Sequence, residues 1–211
     1  MEEEWYKILP QNQYWRIDYF NKHKILDLSN LNLTELPLLP SNIRILDCNK
    51  NKLKYIPELQ SSIVALDCSN NLLNSLPRLN DNLKSLFCSN NLLTSLPELP
   101  INLDILVCAN NKIEIFPNIP SKISLFNCIN NKILVLPKLN RKYIVIHFKG
   151  NPICNIYPKL QNELTDSWWE RIYLIQQRNR SIIEEIIMNF WKPSNVEKLL
   201  ELYGIDFDEY V

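Results

Sequence analysis

Apolar and polar positions along this chain repeat at every twentieth residue. Four columns keep this spacing: Cys48, Cys68, Cys88, Cys108 and Cys128; Leu26, Leu46, Leu66, Leu86, Leu106, Phe126 and Ile146; Asn51, Asn71, Asn91, Asn111, Asn131 and Asn151; and Pro37, Pro57, Pro77, Pro97, Pro117 and Pro137. A period of this length predicts stacked structural repeats, each of which buries its apolar residues against the next.

One repeat unit reads IVALDCSNNLLNSLPRLNDN over residues 63–82. Its Leu-x-Cys segment predicts a short strand with Leu and Cys inward, and successive strands form a parallel sheet with about 4.8 Å between neighbours. The recurring Asn both donates and accepts, so it can satisfy buried backbone groups on its own coil and on the neighbouring coil. The Leu-Pro pair predicts an extended return segment on the convex side, without long helices.

The pattern predicts seven coils, which begin near residues 23, 43, 63, 83, 103, 123 and 143. The outer two are irregular: Leu28 and Leu31 replace Cys and Asn in the first, and the last contains Phe148 and the string GNPI at 150–153. The chain contains 28 Asn and 13 Pro but only 2 Gly. We therefore expect Asn and Pro to build the turns.

These motifs resemble the short, 20-residue leucine-rich repeats with a Leu-Pro signature that occur in secreted bacterial effector proteins. The resemblance covers residues 23–156. The Asn, Ile and Lys bias and the inward Cys column are also similar, more loosely, to leucine-rich-repeat proteins of amoeba-infecting giant viruses. The resemblance implies an α/β solenoid with short parallel strands on the concave face, an extended convex side and a function in binding another protein.

The effectors often join their repeats to a large ubiquitin-ligase domain with a catalytic cysteine. Here the segment 157–211 is short, and Cys154 is the last cysteine, so we do not transfer the ligase activity. Walker, HExxH and GxSxG motifs are absent from the sequence. We predict that the protein is not an enzyme and that it has neither catalytic residues nor a cofactor.

The cysteines and histidines do not indicate a catalytic or metal site. Each repeated Cys lies on its own coil along a line, whereas zinc ligands converge on one point. Such a column in a reducing compartment serves as a set of small apolar residues. Cys154 stands outside the column, and we expect it to be partly exposed. His23 and His147 are predicted to be surface residues.

The residues beside each inward Leu should face outward on the concave sheet, because side chains alternate along a strand. Coils one to three present a row of carboxylates, which repel one another unless a cation or a basic partner lies nearby. Coils four to seven present an apolar patch of the kind that marks interfaces. The predicted partner-binding residues are Asp27, Asp47 and Asp67 in the row, Phe87, Ile105, Val107, Leu125, Ile129 and Val145 in the patch, and Asn127 and His147 in the same column as the row.

Three other interpretations of these columns stay open. Outward β-branched residues suit strands whether or not they bind anything. A terminal segment of the chain could cover the apolar patch instead of a partner. Calcium could bind at the carboxylate row, although parallel strands supply few further oxygen ligands.

Overall charge gives no sign of nucleic-acid or membrane binding. The chain carries 23 basic and 23 acidic side chains, so it has no net field that attracts nucleic acid or anionic lipid. Residues 1–4, MEEE, lack the basic flank and apolar stretch of a secretion signal, and no apolar run approaches the length of a membrane span. We expect a cytoplasmic location, in the host cell if the chain is an effector or viral protein.

The two ends of the chain are predicted to differ from the repeats. Residues 1–22 are rich in aromatic residues and are expected to cap the first coil: Trp5, Tyr6, Tyr14, Trp15, Tyr19 and Phe20. Residues 157–211 change to a helical period and contain three Ser-x-x-Glu capping boxes, at Ser167/Glu170, Ser181/Glu184 and Ser194/Glu197. This segment is predicted to be a helical cap or a second interaction site.

Together these features predict a non-enzymatic protein-protein interaction module that binds a partner protein on its concave face. If the chain acts as an effector or in a virus, that partner is a host protein. One alternative is a substrate-recognition adaptor of a ubiquitin-ligase complex. Another is a structural protein that associates with its own copies through the apolar patch, giving a homo-oligomer.

Overall fold

The computed structural model describes residues 4–135, 137, 139 and 145–156. It begins with two short 3-10 helices, Glu4–Ile8 and Gln11–Gln13, and helix α1, Trp15–His23. Then come the strands β1 (Ile25–Asp27), β2 (Ile45–Asp47), β3 (Ala65–Asp67), β4 (Ser85–Phe87), β5 (Ile105–Val107), β6 (Leu125–Asn127) and β7 (Val145–His147), and one helical turn, α2 (Ile153–Ile156). The helices and capping boxes predicted within 157–211 lie outside the described residues.

The seven strands form one parallel sheet in chain order, from β1 to β7. Each strand pairs with the next at an offset of one repeat period, so that Leu26 lies opposite Leu46 and Leu46 lies opposite Leu66. In β1 to β6 the central residue is buried between two half-buried neighbours. The period of the sequence is therefore the register of the sheet, and the predicted stack of coils is confirmed.

The inward columns form one continuous core. Each strand from β1 to β6 contributes its central residue, and the position two residues later contributes a buried Leu or Cys. Two further ladders flank these columns: Ile43, Ile63, Leu83, Leu103 and Ile123 before the strands, and Leu53, Leu73, Leu93, Ile113 and Ile133 after them. No helix lies between the strands within residues 24–135, so this part of the convex side has the extended return segments that the Leu-Pro pairs predicted.

The repeated Asn joins each turn to the coil before it. The Oδ1 atom of Asn91 accepts the backbone N–H of Leu73, on the preceding coil, at 3.0 Å. Its Nδ2 atom donates to the carbonyl of Cys68 on the preceding coil at 3.0 Å and to that of Cys88 on its own coil at 3.1 Å. One buried side chain thus satisfies three backbone groups that water cannot reach.

The other members of this column make the same three kinds of contact. Their bonds reach one N–H of the preceding coil and one carbonyl on each of the two coils, at Asn51, Asn71, Asn111, Asn131 and Asn151. In the first and last coils Leu28 and Phe148 supply the carbonyl that Cys supplies elsewhere. The irregular coils therefore keep the hydrogen bonding of the regular ones.

Asn also builds the tight turn after five of the seven strands, and Lys50 and Gly150 build the other two. The left-handed backbone region, with φ between 52° and 57°, recurs at Asn30, Lys50, Asn70, Asn90, Asn110 and Asn130. Asn enters this region more readily than other residues that carry a Cβ, so the turn does not require glycine. Gly150 holds the same place in the last coil at φ 76°. There a Cβ atom would press on the amide oxygen of Asn130, so the Asn130 side chain would have to move to admit any other residue.

The N-terminal residues pack against the first coil through part of their aromatic set. Trp5 and Phe20 are buried, with their ring centroids 5.4 Å apart in an edge-to-face arrangement. Trp15 and Tyr19, by contrast, lie on an exposed side of α1. Helix α1 ends at His23, where Lys24 adopts the left-handed conformation. The division into a cap at 1–22, repeats at 23–156 and a C-terminal segment at 157–211 stays a prediction.

We expect Asn91→Ala to lower the free energy of unfolding by about 2–4 kcal/mol, because one N–H and two carbonyl groups would then be buried without partners. Asn74→Ala is the matched control: Asn74 is exposed, so its loss should cost less than about 0.5 kcal/mol. Chemical denaturation followed by circular dichroism measures both. Equal midpoints for the two variants would contradict the role given to the Asn column.

Candidate partner-binding face

The concave face is formed by the side chains on either side of each buried central residue. In β4 and β5 these are Ser85 and Phe87, and Ile105 and Val107. Because the strands pair without any shift, Phe87 lies directly opposite Val107 in the next coil. The face therefore consists of straight columns in which neighbouring residues are about 4.8 Å apart.

The structure brings the predicted apolar residues of coils four to six together and extends them into β7. Ile105 lies opposite Leu125, and Leu125 lies opposite Val145, so these three form one column beside the pair of Phe87 and Val107. Five of the patch residues are half-buried, and Val145 is 54 % exposed. This patch is defined as Phe87, Ile105, Val107, Leu125, Ile129 and Val145.

The predicted carboxylate row lies in the same column as Phe87 and Val107, on β1 to β3, where Asp27, Asp47 and Asp67 are opposite one another in the register. Each carboxylate also has a local partner. Its Oδ1 atom accepts the backbone N–H two residues further on, at 2.9, 3.0 and 2.9 Å for Ser29, Asn49 and Ser69. Asn127 makes the same bond to Ile129 at 3.2 Å. These four residues therefore shape the turns after their strands, whatever else they bind.

The first carboxylate already has a cation. The Nη1 atom of Arg16, on α1, lies 2.8 Å from Asp27 Oδ1 in an ion pair. Arg16 is 7 % exposed. The stacked carboxylates predict that the row needs positive charge, but the sequence does not point to Arg16, because Arg16 lies outside the repeat period and before the first strand. The local role of the Asp residues had a detectable signal, namely Asp or Asn followed two residues later by Ser or Asn.

The second carboxylate is the most constrained of the three. Asn49 Nδ2 donates to Asp47 Oδ1 at 2.6 Å and reaches Asp67 Oδ2 at 3.4 Å, so one amide bridges two carboxylates. Burial raises the pKa of Asp47, and the charges of Asp67 and Asp27 raise this pKa further, while the hydrogen bond from the Asn49 backbone opposes the shift. Within the described ranges, neither Asp47 nor Asp67 has an ion pair.

The cysteines form an inert column. Cys48, Cys68, Cys88, Cys108 and Cys128 are buried as free thiols, and burial raises the pKa of each. The Sγ atoms of Cys68 and Cys108 donate to the carbonyls of Phe87 and Asn127 at 3.5 and 3.4 Å. The expectation that Cys154 is partly exposed is wrong: it is 1 % exposed, because it packs into the end of the core beside Phe148 and Ile153.

The two histidines lie near opposite ends of the sheet, His23 before β1 and His147 on β7. His147 is exposed on β7, where it lies opposite Asn127, and His23 is exposed at the end of α1 with its ring 4.7 Å from that of Tyr19.

In the part of the chain that the structure describes, no three His, Cys, Asp or Glu side chains are placed to hold a metal ion. Among the helices described, none has the length and apolar character needed to cross a bilayer.

Comparisons with known proteins agree with this geometry. No protein-family model matches the sequence, and comparison with curated proteins gives no match. The leucine-rich-repeat domain of a Shigella effector is similar in structure, with a TM-score of 0.63 and 29 % sequence identity over 70 % of this chain and 71 % of that one. YopM from Yersinia enterocolitica WA-314 is 30 % identical over 57 % of this chain and 31 % of its own, with a TM-score of 0.45.

The protein therefore has the fold of a leucine-rich-repeat solenoid, as its sequence predicted. Its similarity to the Shigella domain supports the resemblance to repeats of bacterial effectors. The looser resemblance to proteins of giant viruses stays a prediction.

Replacing Asp47 by Asn should stabilise the protein at neutral pH. The raised pKa means that the folded state disfavours the charged carboxylate, so the cost is present above the folded pKa and disappears below about pH 3.8, where both states are protonated. Asn keeps the turn, as Asn127 does. We expect a gain of about 0.5–1 kcal/mol at pH 7.

Thermal melts of Asp47→Asn and the unchanged chain at pH 7 and pH 3 measure this difference. Asp81→Asn is the control, since Asp81 is an exposed carboxylate away from the row. A gain of equal size at both pH values, or a loss at pH 7, would contradict electrostatic strain at Asp47.

All six cysteines should be unreactive in the folded protein. The thiolate is the reactive form, and burial both raises the pKa of each thiol and blocks access to it. Labelling with Ellman's reagent should proceed only after addition of guanidinium chloride, when all 6 thiols become available. Rapid labelling of even one thiol under native conditions would show that the column, or Cys154, opens locally.

Proposed function

We propose that this chain is a non-enzymatic binding module that holds one partner protein on its concave face. The observation that carries the proposal is the division of one outward column into carboxylates on β1 to β3 and apolar residues on β4 and β5, in a fixed register. Solubility alone does not favour an exposed apolar patch of this kind, and such patches mark interfaces.

The two halves of the column call for a partner with two matching parts. A basic side chain fits beside Asp47 and Asp67, which have no ion pair among the described residues, whereas Asp27 is already paired with Arg16. Apolar side chains fit against Phe87 and Val107. The two parts of the partner would lie about 10 Å apart, since two coils separate Asp47 from Phe87.

The rigidity of the sheet contributes to binding. Each strand is held by its neighbours and by the Asn column, so its outward side chains lose little freedom when a partner arrives. The anchors Phe87 and Val107 are already half-buried by their neighbours, which restricts their motion in the free protein. The face is thus organised before binding.

The effector-like structure supports a protein as the partner. The similar Shigella domain is described as belonging to an effector. We extend the proposal accordingly: the partner is a host protein, and the chain acts in the host-cell cytoplasm. The surface of the partner is expected to combine basic and apolar side chains.

Affinity capture with Phe87→Asp/Val107→Asp tests the proposal. Loss of two central apolar anchors should reduce capture of the partner at least about tenfold. The matched control is Leu38→Asp/Ile115→Asp, which places two carboxylates on exposed apolar residues of the return segments, 79 % and 68 % exposed. This control should capture the partner as the unchanged chain does.

Thermal melts of both variants separate binding from folding. Equal capture by Phe87→Asp/Val107→Asp and the unchanged chain would refute binding on the concave face. A large fall in melting temperature for this variant alone would show that Phe87 and Val107 stabilise the folded core instead.

A further inference from the structure

A second straight row of side chains lies beside the turn that follows each strand. Its members, called the side row, come directly after the Asn column in coils two to six: Lys52, Leu72, Leu92, Lys112 and Lys132. The backbone N–H of each member donates to a carbonyl of the coil before, at 2.7 to 2.9 Å. These bonds hold the side row in register, so it extends about 19 Å along the stack, at about 4.8 Å per coil.

All five side chains of the side row are exposed. Leu72 and Leu92 are 43 % and 37 % exposed, and they lie on neighbouring coils between Lys52 and Lys112. Within the described part of the chain, neither of these two lysines has an ion pair. The side row therefore combines an apolar centre with basic groups at both ends.

Charges are divided unevenly around coils two to six. Residues 45–135 contain eight basic and seven acidic side chains. The turns and the starts of the return segments form the side that bears the side row: 49–55, 69–75, 89–95, 109–115 and 129–135. Five of the eight basic residues lie there, but only Glu114 of the seven acidic ones, so this side has a net charge of +4. The neutral total charge of the chain conceals this basic side, because it sums over every side of the coils.

The chemistry of the side row restricts what can bind there. Its backbone N–H groups are already donated to the preceding coil, so they are not free to pair with an added strand. The groups that remain are flexible ammonium groups and two Leu side chains, which need no partner of fixed geometry. An anionic bilayer supplies what both require, since lysines reach lipid phosphates while apolar side chains enter the boundary of the acyl region.

We propose that the side row binds the surface of a bilayer that contains anionic lipids. The apolar pair enters the interface, and the lysines on both sides of it contact the headgroups. Because the side row follows the turn and does not belong to a strand, the concave face stays open to a protein partner. The bilayer contact is therefore separate from the proposed function.

Cosedimentation of the full chain with lipid vesicles tests this proposal. Phosphatidylcholine vesicles with about 30 % phosphatidylserine should bind the chain at least about tenfold more tightly than pure phosphatidylcholine vesicles at about 50 mM salt. Raising the salt to about 500 mM should remove most of this difference, because salt screens exposed charges.

Two variants locate the contact. Lys52→Glu/Lys112→Glu reverses the charge at both ends of the Leu pair and should weaken binding to the anionic vesicles at least about tenfold. Leu72→Gln/Leu92→Gln leaves every charge in place and should weaken this binding about threefold or more, because it removes the apolar side chains that enter the interface.

The matched control is Arg78→Glu/Lys84→Glu, which makes the same change in total charge at two exposed residues outside the side row. It should bind the anionic vesicles within about threefold of the unchanged chain, since these charges lie away from the contact and are screened. Phe87→Asp/Val107→Asp should bind them at least as well as the control, which separates the bilayer contact from the concave face. Circular dichroism melts of the side-row and control variants should not differ, because every side chain they replace is exposed.

Three results would overturn the proposal. One is equal binding to anionic and neutral vesicles, or binding to neither; a chain that binds a poly-glutamate peptide but no vesicle would assign the side row to an acidic protein instead. Another is a loss of binding by the control as large as that of Lys52→Glu/Lys112→Glu, which would indicate attraction by total charge alone. The third is unchanged binding by Leu72→Gln/Leu92→Gln.

Discussion

The side chain of one Asn per coil is the interaction on which the rest of this structure depends. Only three residues of each coil form a strand. The backbone N–H and carbonyl groups of the turn after the strand therefore need partners outside the sheet. The Asn column joins the turn of each coil to the one before it, through an N–H and two carbonyls that would otherwise be buried without partners. Stacking is thus a requirement of each coil and not only a means of burying Leu and Cys.

The regular arrangement of residues on the concave face follows from this constraint. Since every coil is fixed to its neighbour at an offset of one repeat period, a residue type that recurs at one outward position becomes a straight row on the concave sheet. The acidic and apolar halves of the proposed binding face therefore follow directly from sequence positions. The same regularity leaves the first coil with two carbonyls that have no preceding coil, and Arg16 fills that need from α1.

The sequence predicted what its period encodes and missed what lies outside that period. Strands, register, inward columns and the role of Asn follow from residues that are one period apart, and the structure agrees. Arg16 belongs to no column, so its contact with Asp27 depends on the path of α1, which no repeat specifies. The burial of Cys154 was also missed, because it depends on how the last coil closes beside Phe148 and Ile153. The turn bonds of the Asp row have a signal in the sequence, since each Asp is followed two residues later by Ser or Asn.

Those turn bonds bear on the meaning of the apolar half. At Asp27, Asp47, Asp67 and Asn127 the outward side chain accepts the N–H two residues further on. Phe87 and Val107 occupy the same position in coils four and five but have no acceptor, so these coils forgo a local hydrogen bond that suits their backbone. Neither side chain recovers that loss by entering the core, because both stay half-buried on the concave surface. The absence of this hydrogen bond at two neighbouring apolar residues agrees with the proposed role of Phe87 and Val107 as anchors for a partner.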